Sequence, residues 1–255
     1  MRRREKFVIA SILLSLGLLG VQVTALEFRY ASVAFFTCIS YLVSAWALRD
    51  DLQKHEWLTI LPFPALYAMA VSLFYFLLPP NITSRALLLG LFGVGMYALY
   101  LTTNIYSVAK GRTIQLIHAA QAIALIITLV TSLFFSNTIF SLRLPFYVTA
   151  LLVGIAHFPL VFINLWSVNL EQQLSESTKD LSLMLTAILM QLALVLCFVP
   201  LTVWYAALFV MSFLYIGLGI LQAALRGRLF ARTLTEYSIV ALFIGIVFIL
   251  VVPFK

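Results

Sequence analysis

From Leu181 to Leu225 the chain carries no charged residue for more than forty positions. As one α-helix this run would be ~65 Å long at 1.5 Å per residue, about twice the hydrocarbon thickness of a bilayer. It must fold back on itself. Pro200 is the natural breaker, because it lacks an N–H and its ring clashes with the preceding turn. A charge-free hairpin of two bilayer-length helices has no place in a soluble core. The rest of the chain agrees: of 255 residues 64% are hydrophobic and 10% charged, with mean hydropathy +1.09, against ~25% charged in an ordinary soluble domain. The expected fold is all-α, a polytopic transmembrane bundle in a single integral membrane domain.

A crossing helix needs ~20 mainly apolar residues. Nine segments meet this: 7–26, 31–48, 57–78, 85–108, 114–135, 144–168, 181–199, 201–224 and 237–253. Ser177–Asp180 and Thr233–Glu236 have capping-box spacing ahead of apolar runs, and Pro145 suits a first helical position. The start, MRRREK before an apolar run with Val23-Thr24-Ala25 as a cleavage-like triplet, also resembles a signal peptide. Its run of about twenty residues exceeds the usual 7–15, so it is read as a retained first helix.

Lysines and arginines set the threading. With the N-terminus cytoplasmic, Arg2, Arg3, Arg4, Lys6, Arg49, Lys54, Lys110, Arg112, Lys179, Arg226, Arg228 and Arg232 fall inside, while Arg29, Arg85, Arg143 and Lys255 fall outside. The C-terminus is then outside, and an odd number of spans is required. Trp46, Trp57 and Trp166 read as interfacial anchors at cytoplasmic ends and Trp204 at an outer end. The longest loop, Asn169–Asp180, is twelve residues and leaves no room for an extramembrane domain. Lys110-Gly111-Arg112 after the fourth span echoes Arg226-Gly227-Arg228 after the eighth. A parallel internal repeat would explain this, and so would the positive-inside rule.

Several chemistries are excluded. No Asp, Glu, Lys or Arg lies mid-span, where charge marks ion paths and proton relays. That argues against a carboxylate-driven antiporter, a retinal protein and an intramembrane aspartyl protease. GxSxG, HExxH and P-loop motifs are absent. The net charge of +7 reflects cytoplasmic loops, not nucleic acid. Cys38 and Cys197 read as small apolar core residues. Asp51 and His55 are four apart but lack a third ligand, so no metal or other cofactor is expected. The sequon Asn81-Ile82-Thr83 hugs the membrane.

The remaining polar residues in the spans are the candidates. Gln115, His118 and Gln121 are three apart, on one helical face. His157 lies mid-span with Pro159 close behind, where the helix can kink and free a carbonyl. Asn164 is two turns further on, and Asn104 lies near the cytoplasmic end of the fourth span. These six would form a polar pocket between spans four, five and six, or simply bond helix to helix. Gly90, Gly93, Gly95, Gly217 and Gly219 allow close helix approach.

Three stretches carry a resemblance: Asn104–Ala109 into Arg112-Thr113-Ile114, Phe140–Phe146, and Gly227–Thr233 with Glu236-Tyr237. Together they resemble a family of uncharacterised multi-span proteins from uncultivated candidate-phylum bacteria, over roughly residues 60 to 250. The resemblance implies a bacterial cytoplasmic membrane and carries no activity. Three functions fit the sequence. The first is a non-catalytic scaffold or assembly component whose basic turns (Lys110, Arg112, Arg226, Arg228 and Arg232) meet a protein partner or anionic lipid of the bilayer. The second is a transporter or flippase for a neutral or lipidic solute. The third is an intramembrane enzyme using His118 or His157 as general base, which needs a second catalytic group within hydrogen-bond reach.

Overall fold

The computed structural model describes residues 3–49, 56–79, 81–109, 116–170 and 175–251. The helices are α1 (Arg3–Val23), α2 (Arg29–Leu48), α3 (Glu56–Thr59), α4 (Pro62–Tyr75), α5 (Ile82–Ala109), α6 (Ile117–Ser141), α7 (Phe146–Asn169), α8 (Glu176–Leu196), α9 (Val203–Leu225) and α10 (Ala231–Val251). A 3-10 turn at Leu26–Phe28 joins α1 to α2. No strand occurs among the described residues, and eight helices are long and apolar enough to cross a membrane. The protein is a polytopic helical bundle. It divides into two compact units, 1–131 and 132–255, with the change falling inside α6.

The third expected span, 57–78, is the main difference. It appears as α3 and a fourteen-residue α4. At 1.5 Å per residue α4 is ~21 Å long, short of the ~30 Å hydrocarbon layer. The cause is local: Pro62 and Pro64 offer no N–H to the preceding turn. The Phe63 N–H instead reaches back only three residues, to the Ile60 carbonyl at 3.3 Å.

The chain nevertheless reverses direction there. Ser44 meets Tyr100 and Phe36 meets Phe92, both pairs 56 residues apart, so α2 and α5 run parallel. α4 is antiparallel to α5: Tyr67 stacks on Phe92, and the Arg85 guanidinium lies 5.4 Å from the Tyr75 ring centroid. α1 also opposes α5, pairing Phe7 with Tyr100 and Ser15 with Gly93. The first unit is thus built round α4, whose Phe63, Ala68, Ala70 and Val71 are fully buried. A helix apolar on all sides belongs inside a bundle.

The second unit alternates in the same way. Gly154 faces Met190 and Phe146 meets Phe198, so α8 opposes α7. Leu185 packs on Gly217, so α9 opposes α8. Tyr215–Tyr237 and Phe209–Phe248 set α10 against α9. Pro200 does end the charge-free hairpin, in the turn between α8 and α9.

Four of the five singled-out glycines sit at close approaches. A Cβ on Gly95 would collide with the Tyr67 hydroxyl, one on Gly219 with Tyr237, one on Gly93 with Ser15 and one on Gly217 with Leu185. Gly90 has open space.

Boundaries differ where hydropathy misleads. α6 runs to Ser141, not 135, because its polar residues stay helical by bonding their own turn: Thr138 donates to Phe134 O at 2.8 Å and Ser141 to Asn137 O at 2.7 Å. α8 starts at Glu176 and α10 at Ala231, ahead of both capping boxes, and Pro145 is the N-cap of α7 and not its first helical residue. Trp166 is buried and not an interfacial anchor, whereas Trp46, Trp57 and Trp204 are exposed. Cys38 and Cys197 are exposed, not core residues.

Candidate functional site

His157 is the centre of a buried polar cluster among the described residues. It occupies the middle of α7 and is completely buried. Its Nδ1 lies 2.8 Å from the Val153 carbonyl. A carbonyl only accepts, so Nδ1 carries the proton. In the neutral ring Nε2 is then an acceptor. Ser132 of α6 places its Oγ 2.8 Å from that nitrogen, and Ser136 lies at 3.4 Å. Both serines are fully buried. They stand one helical turn apart, so both face α7. The adjoining Asn137 is also buried, and its Nδ2 has no partner among the described residues.

The result is a serine hydroxyl aimed at a neutral imidazole whose other nitrogen is anchored. That order of hydroxyl, base and orienting group is the one used to activate a nucleophile. It is equally a tie between two helices. Pro159 is accommodated inside α7, which continues to Asn169.

Asn164 follows on the same helix, buried. Its Nδ2 donates to the Leu160 carbonyl at 2.9 Å. Its own backbone carbonyl accepts from Ser167 Oγ at 2.8 Å and from Gln222 Nε2 of α9 at 3.4 Å. The Gln222 contact links parallel α7 and α9 near their C-terminal ends.

The other candidates belong to the first unit. Gln121 is buried on α6. His118 is exposed in the first turn of α6, so it does not share the interior position expected for that helical face. Asn104 is half-buried on α5, and its Oδ1 has no partner among the described residues. Gln115 lies outside the described residues. Tyr106, which the sequence reading passed over, is buried and directs its hydroxyl to the Ala120 carbonyl at 3.5 Å.

Of the basic turns, Lys110 and Arg112 lie outside the described residues, as do Asp51 and His55. Arg226 and Arg228 are exposed. Gly227 between them has φ 63. Arg228 N–H closes on Ala223 O and Gly227 N–H on Ala224 O, both at 2.9 Å, a Schellman ending that needs the left-handed residue. Arg232 pairs with Glu236 at 3.4 Å on the surface, a contact worth little alone.

Ser132 and Ser136 are the residues that sequence reasoning missed. A signal was present: they are four apart, and Ser132 and His157 flank the turn at 142–145 at similar distances along the chain. In a hairpin that spacing brings them level. No family model, curated protein or solved structure matches this chain.

Proposed function

We propose that this chain is a non-catalytic integral component of a bacterial cytoplasmic membrane, a scaffold or assembly subunit with its N-terminus and basic turns inside and its C-terminus outside. The observation that supports this is how the buried polar groups are used. His157 has a bonded partner at each ring nitrogen, and Asn164 is tied to its own helix and to α9. Exposed positive charge gathers instead in the Arg226–Arg232 turn, suited to a protein partner or anionic lipid. The reversal at α4 supports the orientation, because it keeps the odd count on which the lysine and arginine bias depends. A photo-crosslinker at exposed Phe230 tests the reading in native membranes. One discrete protein or anionic-lipid adduct, lost when Arg226, Arg228 and Arg232 are changed to Glu, is expected. Absence of any adduct, with only a monomer in mild detergent, would overturn it.

A second reading rests on the 2.8 Å Ser132–His157 contact, which supplies the hydrogen-bonded partner that an intramembrane acyl-transfer enzyme requires. A lipophilic fluorophosphonate added to membranes should label Ser132 and spare both Ser132→Ala and His157→Gln. No labelling of the unmodified protein removes this reading.

A further inference from the structure

A cavity of about 660 Å³ opens in the second unit where α6 ends, α7 begins, α8 ends and α9 begins. Ligand sites commonly enclose ~300–1,000 Å³. Its walls are of two kinds. Most of the lining is apolar, Leu144, Leu196, Val199 and Leu201 among it, and Arg143, Thr149 and Thr202 supply its polar groups.

The electrostatics favour an anion. Arg143 makes no ion pair or side-chain hydrogen bond among the described residues. The described acids of this unit, Glu176, Asp180 and Glu236, lie within the first two turns of α8 and α10, whose N-terminal ends face away from the cavity. Two helices begin at the cavity. Neither α7, with N-cap Pro145, nor α9, with N-cap Thr202, has a side-chain cap on its first-turn N–H groups. Such ends carry partial positive charge. The opposing helix ends are closed by backbone bonds. Leu142 and Arg143 N–H groups satisfy the last turn of α6, and Cys197, Phe198 and Val199 N–H groups that of α8.

The position favours an amphiphile over a soluble ion. Phe146, Tyr147, Phe198 and Trp204 are exposed around this end, the arrangement of a membrane-interface aromatic belt. We infer that this cavity binds the phosphate headgroup of an anionic lipid, with Arg143 and the open α7 and α9 ends on the phosphate and the leucine side along the first methylenes of the tail. This site is separate from the basic turns and from His157, and stands whether or not the scaffold reading does.

Native mass spectrometry of the full chain in mild detergent tests it, using phosphatidic acid, phosphatidylcholine with the same acyl chains, and inorganic phosphate as probes. Phosphatidic acid should be retained about tenfold better than phosphatidylcholine, the scale of one charge-assisted contact. Arg143→Gln should abolish the difference. Arg143→Gly should do the same while leaving thermal unfolding unchanged or raised, because residue 143 has φ 49, a conformation glycine adopts without strain. Exposed Cys197 lines the cavity and gives a second readout. In a Cys38→Ala background, phosphatidic acid should slow its maleimide labelling. Protection by inorganic phosphate alone would assign the site to free phosphate, overturning the lipid assignment. Protection by phosphatidic acid alone supports the lipid. Equal retention of both lipids, indifferent to Arg143→Gln, overturns the site.

Discussion

Each unit contains a triad of helices running in alternating directions, α2–α4–α5 in the first and α7–α8–α9 in the second, and the middle helices are opposites. α4 is short, broken at its start by proline and largely buried, with only the Pro62–Leu66–Met69–Leu73 stripe half-buried. α8 is a continuous twenty-one-residue helix with Leu183, Met184, Ile188 and Val195 bare. A helix enclosed by protein need not match the bilayer thickness, since its neighbours shield its ends. A helix with one face on lipid must. The outer pair of each triad is parallel and is joined by a polar contact near the same end, Ser44 with Tyr100 at 3.1 Å and Asn164 with Gln222 at 3.4 Å. Both middle helices carry buried hydroxyls, Ser72 in α4 and Thr178, Ser182 and Thr186 in α8, but only the second unit adds a buried histidine, on α7.

Experiments can break this comparison. The largest effect is expected at His157→Ala, which opens a void and orphans Ser132. A loss of about 3 kcal/mol should appear in thermal unfolding in detergent, and a loss under 1 kcal/mol would show that the cluster does not hold the second unit. Gly95→Val forces a methyl group into Tyr67 at the centre of the first unit. It should cost about 1–3 kcal/mol, while Gly90→Val on the same helix, facing open space, should cost less than half as much. Pro62→Ala restores a donor at the α3–α4 break. Hydrogen exchange should show new protection at residue 62, with stability changed by less than about 1 kcal/mol; unchanged exchange would mean that packing, not proline, breaks the helix. Tyr100→Phe, removing one interhelical hydroxyl contact, should cost only ~0.6 kcal/mol, and so should Gln222→Ala in the second unit. Unequal values would show that the two cross-ties are not equivalent.

The all-helical membrane fold was legible because the apolar runs are long and Pro200 falls where the longest one must turn. The break in the third segment was not, although Pro62 and Pro64 were in view. Hydropathy averages over a window and is blind to a missing N–H. Polar helix ends were misread for a similar reason. Thr138 and Ser141 look like loop residues by composition, yet a hydroxyl bonded to its own turn costs a helix little. The site was half legible. His157 and Asn164 stood out as polar residues mid-span, and both are buried as expected. His118 carried the same signal but sits in the first turn of α6, where burial depends on the neighbouring chain and not on spacing. Ser132 and Ser136 were overlooked because serine is small and common. Only their level with His157 across a hairpin distinguishes them.

α10 has no buried residue and is long and apolar enough to cross a membrane. Its described packing is against α9, through Tyr237 and Phe248. Leaving lipid would gain it little, since lipid tails are as apolar as its own side chains. α7 is the converse: His157, Asn164, Thr149 and Ser167 are polar groups that a bilayer alone would reject and that its neighbours shelter. During insertion, therefore, α10 can partition into the membrane unaided and dock afterwards. In α7 the Nε2 of His157 finds its hydroxyl partner on α6, so that group is satisfied within the membrane once the α6–α7 hairpin has closed.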